Sequence, residues 1–300
     1  MSDEQPDKAA LGPMPYPEGP RPPAAPSSEM PASEGASAAA PPTLFSESVE
    51  APPRLWRPRD LLVFVAILCG GLVVCQLLVI LGYALLRPLM GWHTSLSTLE
   101  QNTFFLVALQ FVCYAFVLVC VYLLIVAHYR QPFWRGLQWH SLTLGQIGRY
   151  MAGGLLLAVA VQFIPALLPD NNTFPLQKLF NSPAAGYALG ILSVFIAPFM
   201  EELVFRGVLY AFFERLAGFQ FAIVGTAVLF AGLHVPEYWG AWGRVLVILV
   251  VGLVLSLARA VTKSLTPSVV LHMAYNATLM SALFFATHHF RTMPALPGHS

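Results

Sequence analysis

Two adjacent glutamates, Glu201 and Glu202, lie in an otherwise apolar stretch that is long enough to cross a membrane. An ionisable side chain at the bilayer centre costs on the order of 3 kcal/mol, so each needs a partner or a chemical use. Arg206 follows Glu202 by four residues, the favourable order for an intrahelical ion pair. Glu201 lies about 100° further around the helix. We therefore expect Glu202 and Arg206 to support the structure, and Glu201 to be a general base or a ligand.

Polar residues also occur in two later apolar stretches. Phe230 and His234 lie at the end of the first stretch, and His272 and Asn276 lie inside the second. Residues four apart share one face of a helix, so His272 and Asn276 point the same way, about 6 Å apart along the axis. Two polar groups directed together inside lipid favour a functional cluster over isolated packing residues.

The depths of these residues in the membrane are compatible with one cluster. Glu201 precedes a short turn near residues 214–218 by roughly fifteen residues, and His234 follows that turn by roughly eighteen. The two stretches should form an antiparallel hairpin with both side chains at one level. His272 and Asn276 agree with that level to within two or three helical turns.

Such a cluster has two chemistries open to it. In the first, Glu201 takes a proton from water, a histidine positions that water, and His and Asn side chains donate to an oxyanion. In the second, Glu201, His234 and His272 ligate a divalent metal such as zinc and leave one position for water. Neither the HExxH motif of zinc proteases nor the GxSxG motif of serine hydrolases occurs in the chain.

The composition is that of a membrane protein. The 300 residues are 57% hydrophobic and only 10% charged, with a mean hydropathy of +0.66, whereas soluble domains carry about 25% charged residues. We predict an all-α, polytopic transmembrane bundle of about seven spans, near residues 61–86, 103–128, 147–168, 186–212, 219–235, 244–260 and 266–287. The four cysteines fall within spans without a CxxC motif, so we expect them to be packing residues.

The remaining sequence divides into tails and connections. Residues 1–53 hold thirteen of the 25 prolines and eight acidic side chains, so we expect a disordered tail. Beyond it, nine Lys and Arg residues collect on one predicted side of the membrane and four on the other, which predicts a cytoplasmic N-terminus. The basic excess is too small and too dispersed for a nucleic-acid partner.

Three short motifs occur in order along the second half of the chain: EExxxR at residues 201–206, FxxxH at 230–234 and HxxxN at 272–276. Together they resemble the motif set of the CAAX-processing and bacteriocin-processing (CPBP, abortive-infection-like) intramembrane proteases, the family of the Ras-converting prenyl-protein endopeptidases. The resemblance covers about residues 145–287. Composition and resemblance together predict a tail at 1–53, N-terminal transmembrane helices at 54–144, a protease domain at 145–287 and a short C-terminal tail at 288–300.

The resemblance implies an endopeptidase that hydrolyses a membrane-associated protein or peptide. It implies that Glu201 and His234 activate water, and that His272 and Asn276 stabilise the oxyanion. Glu202, Arg206 and Phe230 would be supporting residues. The family has been described both as metal-dependent and as glutamate-dependent, so a divalent metal stays open, and tail composition and orientation suit a bacterial inner membrane. The first alternative is a catalytically silent membrane scaffold or regulator of another membrane protein. The second, which the apolar first three spans make less favoured, is an ion or small-molecule carrier.

Overall fold

The computed structural model describes residues 57–92, 95–165, 168 and 179–292. The predicted tails at residues 1–53 and, from 293 onward, at the C-terminus lie outside the described residues. Every regular element in the described ranges is helical, which confirms the prediction of an all-α membrane protein. Six of these helices are long and apolar enough to cross a membrane.

The first three spanning helices are α1, Pro58–Met90, α2, Thr103–His128, and α4, Leu144–Phe163. A short helix, α3, Phe133–Gly136, connects α2 to α4. Local capping explains where these helices begin. Asn102 accepts from the Phe105 N–H at the start of α2, and Thr143 forms a reciprocal capping box with Gln146 at the start of α4.

The fourth long helix, Pro183–His234, is broken after its first arm. Ala217 and Gly218 have non-helical backbone angles, and Gly218 has a φ of 85°, a region that glycine adopts without a steric penalty. We therefore treat residues 183–216 as α5 and residues 219–234 as α6. The two arms correspond to the fourth and fifth of the seven predicted spans, whereas the described ranges contain six helices that are long and apolar enough to cross a membrane when this one is counted once.

The two arms form the expected antiparallel hairpin. Phe213 and Phe221 contact each other near the turn, with ring centroids 5.4 Å apart. Further along, Phe205 meets Phe230 edge to face at 5.1 Å. Glu201 precedes Phe205 by four residues, and His234 follows Phe230 by four, so both lie about one helical turn further from the tip of the hairpin. The contact between the two rings therefore places Glu201 and His234 at one level.

The segment of α5 that carries the glutamates is itself irregular. Residues Ala197–Glu202 are α-helical, but the turns on either side, Leu192–Ile196 and Leu203–Leu209, are π-helical. A π-helical turn holds one extra residue, so it rotates the residues beyond it relative to a continuous α-helix. Such turns often occur at functional sites.

The last two helices, α7, Trp242–Thr262, and α8, Thr266–Ala286, close the bundle. Helix α7 packs along α6, and α8 packs along α4. The α4–α8 contact is close because Gly154 has no side chain: a Cβ at this position would lie 2.4 Å from the Leu271 carbonyl oxygen and 2.7 Å from the Ala274 Cβ.

Replacing Gly154 by alanine should therefore separate α4 from α8 and lower the free energy of unfolding by roughly 1–3 kcal/mol, the usual cost of overpacking a core. The matched control is Gly148→Ala in the same helix, where a Cβ would meet no atom within 4 Å. That change should be neutral or slightly stabilising, because alanine is the better helix former. Denaturant titration in mixed micelles checks both, and equal effects would contradict the close-packing explanation.

Candidate active site

The expected ion pair is present and completely buried. The Arg206 Nη1 donates to the Glu202 Oε1 at 2.8 Å, and both side chains are 0% exposed. The remaining guanidinium nitrogens are also used: Nη2 donates to the Gly252 carbonyl oxygen at 2.9 Å and Nε to the Ser256 Oγ at 3.3 Å, both on α7. Arg206 thereby fixes α5 against α7, in agreement with the supporting role expected for it.

Phe230, the first residue of the second motif, lies under this ion pair. Its ring centroid is 4.7 Å from the Arg206 Cζ, in cation–π range. The same ring contacts the imidazole of His234 at 4.8 Å and that of His272 at 5.9 Å. Phe230 therefore packs between the structural cation and both histidines.

His272 of α8 bridges the two glutamates. Its Nδ1 lies 2.9 Å from the Glu202 Oε1, and its Nε2 lies 3.7 Å from the Glu201 Oε2. An ionised carboxylate only accepts hydrogen bonds, so the contact with Glu202 assigns a proton to Nδ1 and directs Nε2 towards Glu201. The predicted depths are compatible with a contact between His272 and Glu201, but they do not indicate the hydrogen bond between His272 and Glu202.

The exposed fractions of the two glutamates separate their roles. The side chain of Glu202 is 0% exposed, while that of Glu201 is 24% exposed. A carboxylate held by Arg206 and His272 has little freedom to react. Glu201, which contacts His272 through its Oε2 at 3.7 Å and is partly exposed, is the more accessible of the two carboxylates.

His234 ends α6, and its orientation is set by its own helix. The Nδ1 lies 2.8 Å from the Phe230 carbonyl oxygen, which can only accept, so Nδ1 carries the proton and Nε2 presents a lone pair. The ring of Phe230 contacts both His234 and His272, which places His234 beside the contact between His272 and Glu201. The structure therefore brings Glu201, His234 and His272 together.

An additional carboxylate, Glu237, follows His234 in the connection between α6 and α7. Its backbone N–H donates to the His234 carbonyl oxygen at 3.1 Å. Burial raises the pKa of Glu237, while the neighbouring His234 and a hydrogen bond with Tyr238 act in the opposite direction. Glu237 was not among the residues that the sequence motifs indicated.

Asn276 makes a contact that was not expected. Its Nδ2 donates to the Ser193 carbonyl oxygen at 2.8 Å. In this π-helical turn the Ala197 N–H bonds to Leu192, one residue earlier than Ser193. The next residue, Pro198, has no N–H. The Ser193 carbonyl has therefore lost the N–H groups of both residues, and the amide of Asn276 satisfies it.

Hydroxyl groups on neighbouring helices complete the support of Arg206. The Oγ of Ser256 and the Oγ1 of Thr226 are 2.9 Å apart, and the Thr226 hydroxyl donates to the Ala222 carbonyl oxygen at 2.5 Å. Sequence motifs did not identify these residues. The available signal was that both are buried polar residues inside apolar spans.

The site does not assemble a metal-ligand set as it stands. In the described part of the chain, no three His, Cys, Asp or Glu side chains are grouped so that they could hold a metal ion. Zinc ligation by Glu201, His234 and His272 stays a prediction from the sequence.

The fold is that of a multi-pass helical membrane protein whose spans enclose a cluster of glutamate and histidine side chains. Residues 183–278 match the family described as type II CAAX prenyl endopeptidase Rce1-like. The match spans α5 to most of α8 and contains all three motifs. It confirms the resemblance to the CAAX proteases, a family of membrane endopeptidases, over this part of the chain. No curated protein and no solved structure gives a significant match to the chain.

Removing one partner of the buried ion pair should be far more costly than removing one partner of an exposed pair. Arg206→Met leaves Glu202 buried without its cation and should lower the free energy of unfolding by about 3–5 kcal/mol. Lys263→Met is the matched control, because Lys263 pairs with Glu214 at 2.6 Å with side chains 60% and 30% exposed. That change should cost at most about 1 kcal/mol. Equal losses in denaturant titrations would show that Arg206 is not the structural centre.

The contact between Asn276 and Ser193 makes a second prediction, which depends on Pro198. Asn276→Ala leaves the Ser193 carbonyl without a hydrogen-bond donor and should lower the free energy of unfolding by roughly 1–3 kcal/mol. Pro198→Ala restores an N–H that can reach this carbonyl along the helix. In the Pro198→Ala background, Asn276→Ala should therefore cost less. A double-mutant cycle measures this coupling, and strict additivity would contradict the explanation.

Proposed function

We propose that this protein is an integral-membrane endopeptidase in which Glu201 and His234 activate the hydrolytic water. The observation that carries the proposal is the asymmetry of the paired glutamates. Glu202 is buried and bonded to Arg206 and His272, whereas Glu201 is partly exposed beside His272 and near His234. The motif match to a CAAX-type endopeptidase supports the same assignment.

In the proposed reaction, a water molecule lies between the Glu201 carboxylate and the Nε2 of His234. The Nε2 lone pair accepts one hydrogen bond from this water and orients it, and Glu201 removes its other proton as the C–O bond to the scissile carbonyl forms. Glu201 then transfers that proton to the amide nitrogen as the C–N bond breaks. The tetrahedral intermediate carries its negative charge on the former carbonyl oxygen until the C–N bond breaks, and no covalent bond forms between the protein and the substrate.

The developing oxyanion requires donors placed before the reaction begins. His272 can supply its Nε2 proton when the ring is protonated between the two glutamates, with Nδ1 held by Glu202. Asn276 has two amide protons, of which one bonds to the Ser193 carbonyl. We propose that the second points to the oxyanion, so that Asn276 both holds α5 and stabilises the transition state.

The proposed substrate is a protein or peptide that is itself associated with the membrane, since the site lies within the spans. A bacterial inner membrane with the N-terminus in the cytoplasm is the proposed location, which reporter fusions to each terminus can test. A pair of identical peptides with and without an isoprenoid group on a cysteine tests whether the lipid contributes to recognition.

Glu201→Gln should reduce peptide-bond cleavage by about 10²–10⁴-fold, the usual contribution of a general base, while leaving the unfolding free energy near that of the wild type. New protein termini in membrane fractions, compared between wild type and variant cells, provide the measurement. Glu214→Gln, in the same arm but paired with the exposed Lys263, should retain cleavage.

Two outcomes would contradict the proposal. Unchanged cleavage in the Glu201→Gln variant would remove Glu201 from the chemistry. An unchanged cellular phenotype in that variant, when deletion of the protein alters the phenotype, would favour the silent scaffold.

Incubation with a chelator separates the two water-activation schemes, because the scheme proposed here predicts that cleavage continues without a divalent metal.

A further inference from the structure

A groove of about 490 Å³ lies between the beginning of α1 and the end of α2. Volumes of roughly 300–1,000 Å³ are typical of sites that bind small molecules. Its apolar walls consist of Val63, Phe64, Ile67, Cys120, Leu123 and Leu124. Val63, Ile67 and Leu123 are each more than half exposed, at 58%, 54% and 51%, so the groove opens to the side, while the buried Phe64 closes its floor.

One end of this groove is polar. Arg59, Asp60 and His128 line it there. The Asp60 side chain is only 10% exposed and is already bound: the Tyr129 hydroxyl donates to it at 2.9 Å, and the Nε2 of His128 and the Nε of Arg59 lie 3.4 and 3.5 Å away. The side chains of Arg59 and His128 are 73% and 53% exposed. The acid is therefore covered, and the basic groups face outward.

The polar end of the groove coincides with the ends of two spanning helices. Asp60 is in the first turn of α1, and His128 is the last residue of α2. Both positions belong at the boundary between hydrocarbon and lipid headgroups. The exposed residues Arg57 and Arg130 add basic character beside it. The groove therefore runs from a basic mouth at headgroup level into the apolar depth of the membrane.

We propose that this groove is a binding site for an anionic phospholipid, with one acyl chain along Phe64 and Ile67 and the phosphate against Arg59 and His128. Basic side chains at a membrane surface attract anionic lipids with about 1 kcal/mol each. A transmembrane helix of another protein is a less suitable occupant. Such a helix is about 10–12 Å across and would cover the apolar walls, but it would leave the basic residues at the mouth without an anionic partner. A single chain with an anionic head matches both parts of the groove.

The floor of this site adjoins the helix that carries the glutamates. Phe64 belongs to one buried cluster with Met200 and Leu203, the residues on either side of Glu201 and Glu202. A bound chain would pack against the outer face of Phe64 and support this cluster from the lipid side. The proposal of a lipid site in this groove does not depend on whether the protein cleaves peptides.

Photocrosslinking can test the proposal on the full chain. The protein is placed in phosphatidylcholine nanodiscs that contain phosphatidylglycerol with a diazirine on one acyl chain, and the labelled residues are mapped by mass spectrometry. We expect labelling at residues 63–67 and 120–124 above that at Leu77 and Leu78, which are equally exposed on α1 outside the groove. Arg59→Gln should reduce the groove labelling about fivefold.

Filling the groove should remove the labelling. Ile67→Trp places a large side chain in it, and Ile80→Trp is the matched control on the same helix, exposed but outside the groove. If Ile67→Trp fails to insert, Cys120→Phe fills the groove from α2. Loss of labelling in the filled variants but not in the control supports the proposal.

Three results would overturn it. Equal groove labelling by the matching phosphatidylcholine probe would show that the basic mouth does not select an anionic lipid. Competition by inorganic phosphate without any acyl-chain labelling would indicate an anion site alone. A crosslink from the groove to a second polypeptide, retained in the presence of excess lipid, would identify a protein partner in place of the lipid.

Discussion

The burial of Arg206 is the constraint on which the rest of the site depends. A guanidinium in an apolar bundle has to have its charge balanced and its donors occupied, because an unpaired charge there costs several kcal/mol. Here Glu202 balances the charge, Gly252 and Ser256 of α7 take the other nitrogens, and the ring of Phe230 lies below. Since Glu202 also binds His272, one cation holds parts of α5, α6, α7 and α8 in a single arrangement.

The two π-helical turns of α5 have a related consequence. Each changes the hydrogen bonding along the helix, and in both a carbonyl is bonded by a side chain from another helix. Asn276 of α8 bonds to the Ser193 carbonyl, and the Nε of Arg259 in α7 bonds to the Arg206 carbonyl at 3.1 Å. The irregular backbone that presents Glu201 is therefore stabilised by the helices that enclose the site.

Much of this arrangement could be predicted from the sequence, for reasons that particular residues make clear. Helices in a membrane must be apolar and about twenty residues long, so hydropathy locates them. The spacing of Glu202 and Arg206 indicates their pairing, and the lengths of the two arms place Glu201 level with His234. These are local properties, which depend only on distances along one helix or across one short turn.

The contacts between distant helices could not be predicted in this way. Glu202 and His272 are 70 residues apart, and Asn276 and Ser193 are 83 apart. Hydropathy does not indicate which faces of two helices meet, and the π-helical turns rotate α5 by an amount that no motif records. For the same reason, the sequence placed Asn276 on the same helix face as His272 but did not indicate its bond to the Ser193 carbonyl, and it did not link Ser256 to Arg206.

The hairpin turn has a consequence for how the chain can change in length. Glu201 lies seventeen residues before Gly218, and His234 lies sixteen residues after it. An insertion at the tip leaves both residues in place. Deleting one residue from the π-helical turn Leu203–Leu209 would instead let that turn relax to an α-helix and swing Glu201 about 100° away from His234. Related sequences should therefore vary in length at the tip of the hairpin and keep constant intervals along its arms.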